Sequence, residues 1–199
     1  MTETQTLPLF PLHTVLFPDG YLPLRIFETR YIDMVRQSLR ESQPFGVVLL
    51  KQGGEVLQCE TDRDTTEFNT LGTLAHIVDT DLAADGMLQI EARGDRRFRI
   101  ERSWMERDGL MMGEITLLDK ATVPERVADQ VPRLSAFLER IMSDRDPHRA
   151  NPRFDDPSWV IYRLLERLPI KLEDRQRVLM VDQLDLTVRH LSAMISALE

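Results

Sequence analysis

Prolines interrupt the first apolar stretch of this chain, and that pattern limits the fold more than any other feature. Within residues 7–31, short runs of Leu, Phe and Ile are separated by Pro8, Pro11, Pro18 and Pro23. A prolyl residue fixes its own φ and lacks an N–H, so such a run cannot continue as a helix. Nor can it lie in the middle of a regular sheet. We therefore predict short buried strands that are joined by tight corners and followed by a helix.

Few charges accompany this stretch. Between Asp19 and Arg30 the charged residues are Arg25 and Glu28. Burying one charge without a partner of opposite sign is costly. We therefore predict an ion pair between Arg25 and Glu28, and a buried structural pair is favoured over a binding site.

The same stretch resembles the opening of the N-terminal domain of Lon proteases, the substrate-recognition part of an ATP-dependent enzyme. The similarity lies in Pro-Leu-Phe-Pro-Leu at 8–12, Leu-Phe-Pro at 16–18 and Leu-Pro-Leu-Arg-Ile-Phe-Glu-x-Arg-Tyr at 22–31. We interpret these residues as architecture that turns the chain and closes a β-domain. The positions that carry the resemblance are Pro8, Phe10, Pro11, Pro18, Leu24, Arg25, Phe27, Glu28, Arg30 and Tyr31.

Strand patterns dominate the region after a first predicted helix at 28–42. A continuous apolar run at 45–50 predicts a buried strand. Both faces of residues 70–82 are largely apolar, which predicts a central strand with His76 as a hydrogen-bonded core residue. Alternation and turn signals predict the remaining elements: strands at 56–59, 88–92, 98–100, 103–105 and 110–118, turns at 53–54, 84–86, 94–95 and 108–109, and a loop at 62–69.

At about residue 119 the apolar spacing changes to three and four residues, which predicts helices. One stripe runs over 127–141, with Pro132 as a kink or a late start. Asp156 before Pro157 is typical of a helix start. The other predicted elements are a loop at 143–151, a helix end at Pro169, a short helix at 172–180 and a last helix that begins at Asp185.

These patterns predict an α+β fold with two domains, residues 1–118 and 119–199. The first is a twisted, mostly antiparallel β-domain with one early helix, and the second is a helical bundle. The resemblance to the Lon N-terminal domain extends through both regions and implies a PUA-like pseudo-barrel for the first. Its later landmarks are Gly72-Thr73, Asp85-Gly86, Gly94-x-x-Arg97-Phe98-x-Ile100, Trp159 and Leu165-x-x-Leu168-Pro169.

The acidic composition disfavours two classes of partner. The 199 residues carry a formal net charge of −8, so we expect no binding to nucleic acid or to an anionic membrane surface. The chain has no apolar run of the roughly 20 residues that a membrane-spanning helix needs, and its start lacks the features of a secretory signal. Cys59 is the single cysteine, which fits a reducing compartment. We therefore expect a cytoplasmic protein.

The sequence also lacks the motifs of an ATP-dependent protease. A P-loop needs a Gly-Lys pair in a fixed frame, and the chain contains no Gly-Lys pair. A serine nucleophile with a lysine base would need a further folded domain. We therefore expect a protein that is not an enzyme and that needs no cofactor.

No metal site is predicted. The histidines and the cysteine do not have the spacing of zinc ligands. Three aspartates resemble the start of a calcium loop, but the sixth position lacks Gly and the twelfth lacks Glu, so an ordinary acidic strand end is favoured. The residues considered are His13, His76, His148, His190 and Cys59 for zinc, and Asp79, Asp81 and Asp85 for calcium.

A local basic patch at 93–102 supplies the first candidate binding residues. Arg97 and Arg99 are suited to contact an anionic ligand or an acidic partner segment, and Trp104 follows them as an exposed aromatic candidate. A solvated strand face beside a turn is the favoured alternative.

The strand after the 108–109 turn supplies the second pair of candidates. If Met111 faces the core, Leu110 and Met112 face outwards. Methionine adapts to varied partners, although burial of both faces against the helical region is the favoured alternative.

The resemblance implies a function without chemistry. The Lon N-terminal domain recognises substrates, so we expect a free-standing module that binds unfolded or flexible protein segments, or one specific protein partner. Extended peptides bind at sheet edges or in grooves. The alternative is a small-molecule sensor or an enzyme that reuses the same fold, because fold does not determine function.

Overall fold

The computed structural model describes residues 4–52, 67–84 and 86–198. Contacts within the chain divide it into two compact units, unit 1 (Met1–Leu118) and unit 2 (Asp119–Glu199). That each unit folds by itself stays a prediction. Several predicted features lie outside the described residues, namely the 53–54 turn, the 56–59 strand, residues 62–66 of the loop, and Asp85.

The described residues of unit 1 form six strands and one helix, which confirms the predicted α+β class. The elements are β1 (Thr4–Leu12), β2 (Tyr21–Ile26), α1 (Thr29–Glu41), β3 (Phe45–Gln52), β4 (Glu67–Leu82), β5 (Leu88–Met105) and β6 (Met111–Leu117). The sheet has the order β2-β5-β4-β3-β1-β6, and β6 also pairs with β5. Five strands therefore close into a ring, and β2 pairs with β5 at the edge of the described sheet.

Two strands, β1 and β2, precede α1 as predicted, but Pro8, Pro11 and Pro23 lie inside these strands, so the prediction that prolines end them is wrong. Residues 4–9 pair antiparallel with β6, whereas residues 9–12 pair in parallel with β3. In the described registers, Pro8 is therefore paired with β6 alone and Pro11 with β3 alone. A prolyl nitrogen that faces the other side removes no ladder hydrogen bond.

The ion pair before α1 differs from the predicted one. Arg30 is buried, and its Nη2 lies 2.9 Å from Oε2 of Glu28. Arg25 is exposed, so the prediction of a buried pair between Arg25 and Glu28 is wrong. The first helical turn brings Arg30 back to Glu28, whereas strand alternation places Arg25 on the face opposite Leu24 and Ile26.

Two aromatic residues of the stretch 7–31, Phe10 and Tyr31, pack in the buried core of unit 1. The rings of Phe10 and Tyr31 stack with their centroids 4.0 Å apart, and both belong to a buried apolar cluster that includes Phe45. A second cluster surrounds Phe98 and Ile115. Both clusters lie in unit 1, and the interpretation of the whole motif as architecture stays a prediction.

Strand β5 runs without interruption through Gly94 and Asp95, so the predicted turn at these residues is wrong. The pairing of β4 with β5 shifts register here, as it does at a β-bulge. A Cβ at Gly94 would lie 2.3 Å from the carbonyl oxygen of Phe17. Glycine is therefore required for close approach of the backbone, and not for a turn.

Strand β4 lies between β3 and β5 as predicted, but it begins at Glu67, so residues 67–69 do not form a loop. His76 is exposed, with its Nε2 3.4 Å from Oδ2 of Asp95, so the predicted core histidine is wrong. Val78 is also exposed, at 49%. Because β4 is 16 residues long, its second half extends beyond the buried core.

Unit 2 is helical, as predicted. Pro132 lies in the first turn of a helix, which shows a late start and not a kink. Asp156 caps the next helix by accepting a hydrogen bond from the N–H of Trp159, at 3.3 Å. The elements are a 3-10 helix (Glu125–Gln130), α2 (Val131–Ile141), α3 (Pro157–Arg167), α4 (Leu172–Met180) and α5 (Asp185–Leu198).

Candidate peptide-binding surfaces

The structure brings together two of the five predicted site residues. Trp104 and Met112 face each other across the β5–β6 hairpin and are both half-buried. The indole N–H of Trp104 donates to Oε1 of Glu106 at 2.8 Å, and the guanidinium of Arg102 lies 5.8 Å from the ring centroid. We call Trp104 and Met112 the hairpin patch.

The other three predicted residues lie elsewhere. Arg97 is 2% exposed, so its side chain lies inside unit 1. Leu110 packs against the buried cluster that contains Tyr31. Arg99 is exposed on β5, next to Thr116 of β6. Strand alternation alone could not reveal these positions, because the register of β5 shifts at two bulges.

Strand β2 offers a different kind of surface, because among the described strands it pairs with β5 alone and so lies at the edge of the sheet. The N–H of Gly94 on β5 donates to the carbonyl oxygen of Gly20 at 2.8 Å. Antiparallel alternation therefore directs the backbone groups of Leu22 and Leu24 towards β5 and the nitrogen of Pro23 away from it. Proline is tolerated at such an edge position.

A cavity of about 530 Å³ lies on one face of β2. Directly opposed residues build its floor in two rows across β2, β5 and β4. Residues opposite each other in neighbouring strands lie on the same face of a sheet. The rows are Pro23, Glu91 and Asp79, and then Arg25, Gln89 and Asp81. We call this the outer cavity.

A second cavity, of about 170 Å³, lies against the core side of β2. It shares Pro23, Leu24 and Arg25 with the outer cavity, so the two meet along this strand. Phe27, which is 56% exposed, lies at its rim. We call this the inner cavity, and its other lining residues are Phe10, Leu12, Ile26, Glu28 and Tyr31.

Unit 2 contains a groove of about 360 Å³ between α4 and α5. Val181 and Leu186 line it and are exposed at 40% and 75%. Asp174 and Arg177 also line it and form an ion pair with each other, Oδ1 to Nη1, at 2.7 Å. The groove is therefore apolar with a mixed charged rim.

Unit 2 also encloses a cluster of five charged or titratable residues, which we call the ionic cluster. Arg163 has a side chain that is 0% exposed, and its Nη2 donates to Oε1 of Glu166 at 2.6 Å. Arg167 contacts both Asp146 and Glu166. His148 contacts Arg163 through Nε2 and Asp146 through Nδ1. Together these contacts fix the loop before α3 to that helix.

The hydrogen bonds of the ionic cluster determine the protonation of His148. Nη1 of Arg163 lies 2.8 Å from Nε2 of His148. A guanidinium only donates, so Nε2 accepts and carries no proton. The proton of the neutral ring therefore lies on Nδ1, which donates to Oδ1 of Asp146 at 3.0 Å.

Burial and ion pairing shift the pKa values of the two carboxyl groups in this cluster in opposite directions. Burial acts to raise the pKa of Asp146, but hydrogen bonds from Arg167 and His148 outweigh it and hold that pKa below the ordinary value. Burial raises the pKa of Glu166, although Arg163 and Arg167 oppose the shift. Neither carboxylate lines the outer cavity, the inner cavity or the α4–α5 groove.

Sequence reasoning missed the outer cavity and the ionic cluster. Asp79 and Asp81 resemble the start of a calcium loop in the sequence, but the described residues contain no group of three or more His, Cys, Asp or Glu side chains that could hold a metal ion. The pairs of the ionic cluster join residues of a predicted loop to α3, and no local pattern marks them. Across the described ranges, no helix is both long and apolar enough to span a bilayer.

Comparison with known proteins gives a consistent result over nearly the whole chain. A profile of the family described as "ATP-dependent protease La (LON) substrate-binding domain" matches residues 6–195. The chain is similar to the crystal structure of a Lon N-terminal domain protein from Xanthomonas campestris, with 32% identity, a TM-score of 0.72, and coverage of 95% of this chain and 98% of that chain.

Other relatives are more distant. The N-terminal domain of a Mycobacterium avium complex Lon protease has a TM-score of 0.64 at 15% identity, covers 94% of this chain and 96% of that chain, and shows a common fold alone. "Lon protease 2" of Herpetosiphon aurantiacus is 25% identical over 97% of this chain and 24% of the relative. "Lon protease 2" of Myxococcus xanthus is 31% identical over 48% of this chain and 11% of the relative. The chain thus spans a quarter or less of the length of these two relatives.

Proposed function

Because this chain belongs to the LON substrate-binding domain family, we propose that it is a non-catalytic module that binds extended segments of unfolded or flexible proteins along β2. The substrates and partners of the full-length relatives enter only as part of this proposal. A cytoplasmic location stays a prediction.

One observation carries the proposal, namely an edge strand with a cavity on each of its faces. The inner and outer cavities share three consecutive residues of β2, Pro23 to Arg25. An extended peptide that lies beside an edge strand places alternate side chains on the two faces of the sheet. The shared strand therefore suits an extended segment better than a compact ligand.

The hairpin patch and the α4–α5 groove support the proposal less well. Trp104 of the hairpin patch already has a hydrogen-bond partner and a stacked cation within the chain. The α4–α5 groove is a single apolar depression whose rim charges pair with each other. Neither surface combines a strand edge with pockets on both faces.

Substitution of Phe27 tests the proposal. Phe27→Ser removes an exposed ring from the rim of the inner cavity, so it should weaken binding with little effect on folding. Leu39→Ser is the matched control, because Leu39 is 48% exposed on α1 of the same unit and lines neither cavity. Fluorescence anisotropy with labelled 12-residue peptides from an unfolded protein measures the dissociation constants.

We expect Phe27→Ser to weaken binding of the retained peptides about tenfold or more, since truncation of a hot-spot side chain costs about 2 kcal/mol or more. Leu39→Ser should leave the dissociation constants unchanged. Equal effects of both substitutions, or no peptide bound at micromolar concentrations, would contradict the proposal.

A further inference from the structure

The two cavities beside β2 differ in charge. The outer cavity is lined by the carboxylates of Asp79, Asp81 and Glu91, with Arg25 as the one cation among its described lining residues. Asp79 and Asp81 are exposed, so their charges face solvent. Three carboxylates outweigh one guanidinium, and such a cleft concentrates cations.

The inner cavity selects a different side chain. Phe10, Leu12, Leu24 and Ile26 line it. Of its charged described lining residues, Glu28 is paired with Arg30, and Arg25 is exposed on the strand face opposite Leu24 and Ile26. Its volume of about 170 Å³ equals several times the roughly 30 Å³ that one water occupies in the liquid. A bulky apolar side chain is the group that gains most from entering it.

The geometry of an extended strand fixes the spacing between the cation preferred by the outer cavity and the apolar side chain preferred by the inner cavity. Successive side chains of an extended segment point to opposite faces, and a segment beside β2 continues the plane of the sheet. One side chain then enters the inner cavity, and its neighbour lies over the outer cavity. The spacing between the two preferred residue types is therefore one position.

We propose that β2 binds extended segments in which bulky apolar residues alternate with Lys or Arg. This inference rests on the proposed function and names its substrate class. Charge complementarity favours such segments over acidic ones, which the chain's net charge of −8 also repels. The ion pairs between the bound Lys or Arg and the carboxylates of the outer cavity are partly exposed, so added salt weakens the preference for basic over acidic segments.

Three peptides of equal length in a Ser/Thr background test the proposal. The first carries Leu-Lys-Leu-Lys at its centre, the second carries Leu-Glu-Leu-Glu, and the third carries Leu-Leu-Lys-Lys. The third has the composition of the first without its alternation. Anisotropy measured at low and at physiological salt gives the dissociation constants for the whole chain and its variants.

Two double variants remove the same number of charges from different places. Asp79→Asn with Asp81→Asn neutralises the outer cavity. Asp33→Asn with Glu41→Gln neutralises two exposed carboxylates of α1 that line neither cavity and is the matched control. Both variants shift the net charge equally, so a difference between them reports position and not overall charge.

We expect the Leu-Lys-Leu-Lys peptide to bind about tenfold more tightly than either other peptide, as two partly exposed charge pairs allow. Its advantage over the Leu-Glu-Leu-Glu peptide should disappear in the outer-cavity variant and persist in the α1 variant. Equal affinity for all three peptides, with loss of binding in Phe27→Ser, would overturn this inference and leave the proposed function intact.

Two further outcomes are decisive. Binding of none of the three peptides, together with none of the 12-residue peptides, would overturn both proposals. Analytical ultracentrifugation at the same concentrations detects a second copy of the chain at β2. A dimer that the outer-cavity variant dissociates would overturn the inference in favour of self-association.

Discussion

The outer cavity of unit 1 and the ionic cluster of unit 2 use their carboxylates differently. In unit 1, Asp79 and Asp81 lie exposed beside an edge strand and line an open cavity. In unit 2, Asp146 and Glu166 are held by arginines. A carboxylate whose lone pairs are already occupied supports the fold, whereas an exposed one is available to a partner. This difference supports the proposal that unit 1 binds peptides, and it indicates that the ionic cluster restrains the fold of unit 2.

The two units can be followed separately, because the chain's two tryptophans lie one in each. Trp104 lies on β5 of unit 1, and Trp159 is buried in α3 of unit 2. A Trp104→Phe background leaves Trp159 to report on unit 2, and a Trp159→Phe background leaves Trp104 to report on unit 1. Non-coincident transitions would support the prediction that the units fold independently.

Arg163→Met should have the largest effect. The substitution removes a fully buried guanidinium and leaves Glu166 and His148 without that donor. Loss of one partner of a buried ion pair costs about 3–5 kcal/mol, and urea unfolding followed by Trp159 fluorescence measures it. Arg177→Met is the control, because this exposed pair with Asp174 is worth about 0–1 kcal/mol. Similar losses in both variants would remove the distinction between the buried and the exposed ion pairs of unit 2.

Gly94→Ala should have the next largest effect, and in unit 1. The added Cβ would lie 2.3 Å from the Phe17 carbonyl oxygen, so the backbone must move. Overpacking of this kind costs about 1–3 kcal/mol, and urea unfolding followed by Trp104 fluorescence measures it. Unchanged stability would show that the bulge in β5 accommodates a side chain.

Acid should weaken unit 2 through Asp146. The native pKa of this carboxyl is held below its ordinary value, so its contribution is fully present above the pKa of the unfolded chain, about 3.9. That contribution is lost as the pH falls through the lower native pKa. Asp146→Asn removes the titration, so the urea midpoint reported by Trp159 should fall less between pH 5 and pH 2.5 than in the parent chain. An equal fall in both would contradict this role.

Asp79→Asn with Asp81→Asn should have the smallest effect on stability. Both carboxylates are exposed, and each accepts a hydrogen bond from the next backbone N–H, which the asparagine oxygen can retain. Substitutions of this kind usually change stability by less than about 0.5 kcal/mol. A larger loss in the Trp104-reported transition would show that these charges hold unit 1 together.

Local signals predicted much of the fold. The α4 helix, the start of α5 at Asp185, the hairpin at 108–109 and the Asp156 cap are all confirmed. Each depends on a few neighbouring residues, such as a glycine with positive φ at Gly109. Caps, turns and apolar periods therefore indicate elements reliably when the deciding contacts are short-range.

Long-range pairing limited the prediction of the candidate site. Strand β1 pairs first with β6 and then with β3, which leaves Pro8 and Pro11 inside one strand, and no local pattern shows it. Bulges in β5 change which residues face the core, so Arg97 is buried instead of exposed. The outer cavity needs β2, β5 and β4 side by side, and sequence spacing alone does not give that order.

Backbone amide chemical shifts of the isotope-labelled chain, measured by NMR with and without a saturating Leu-Lys-Leu-Lys peptide, test the central claim most directly. We expect the largest changes at residues 21–26, 79–81 and 89–91, with little change in unit 2. The largest changes at 104–112, or between α4 and α5, would contradict the claim that β2 is the binding edge.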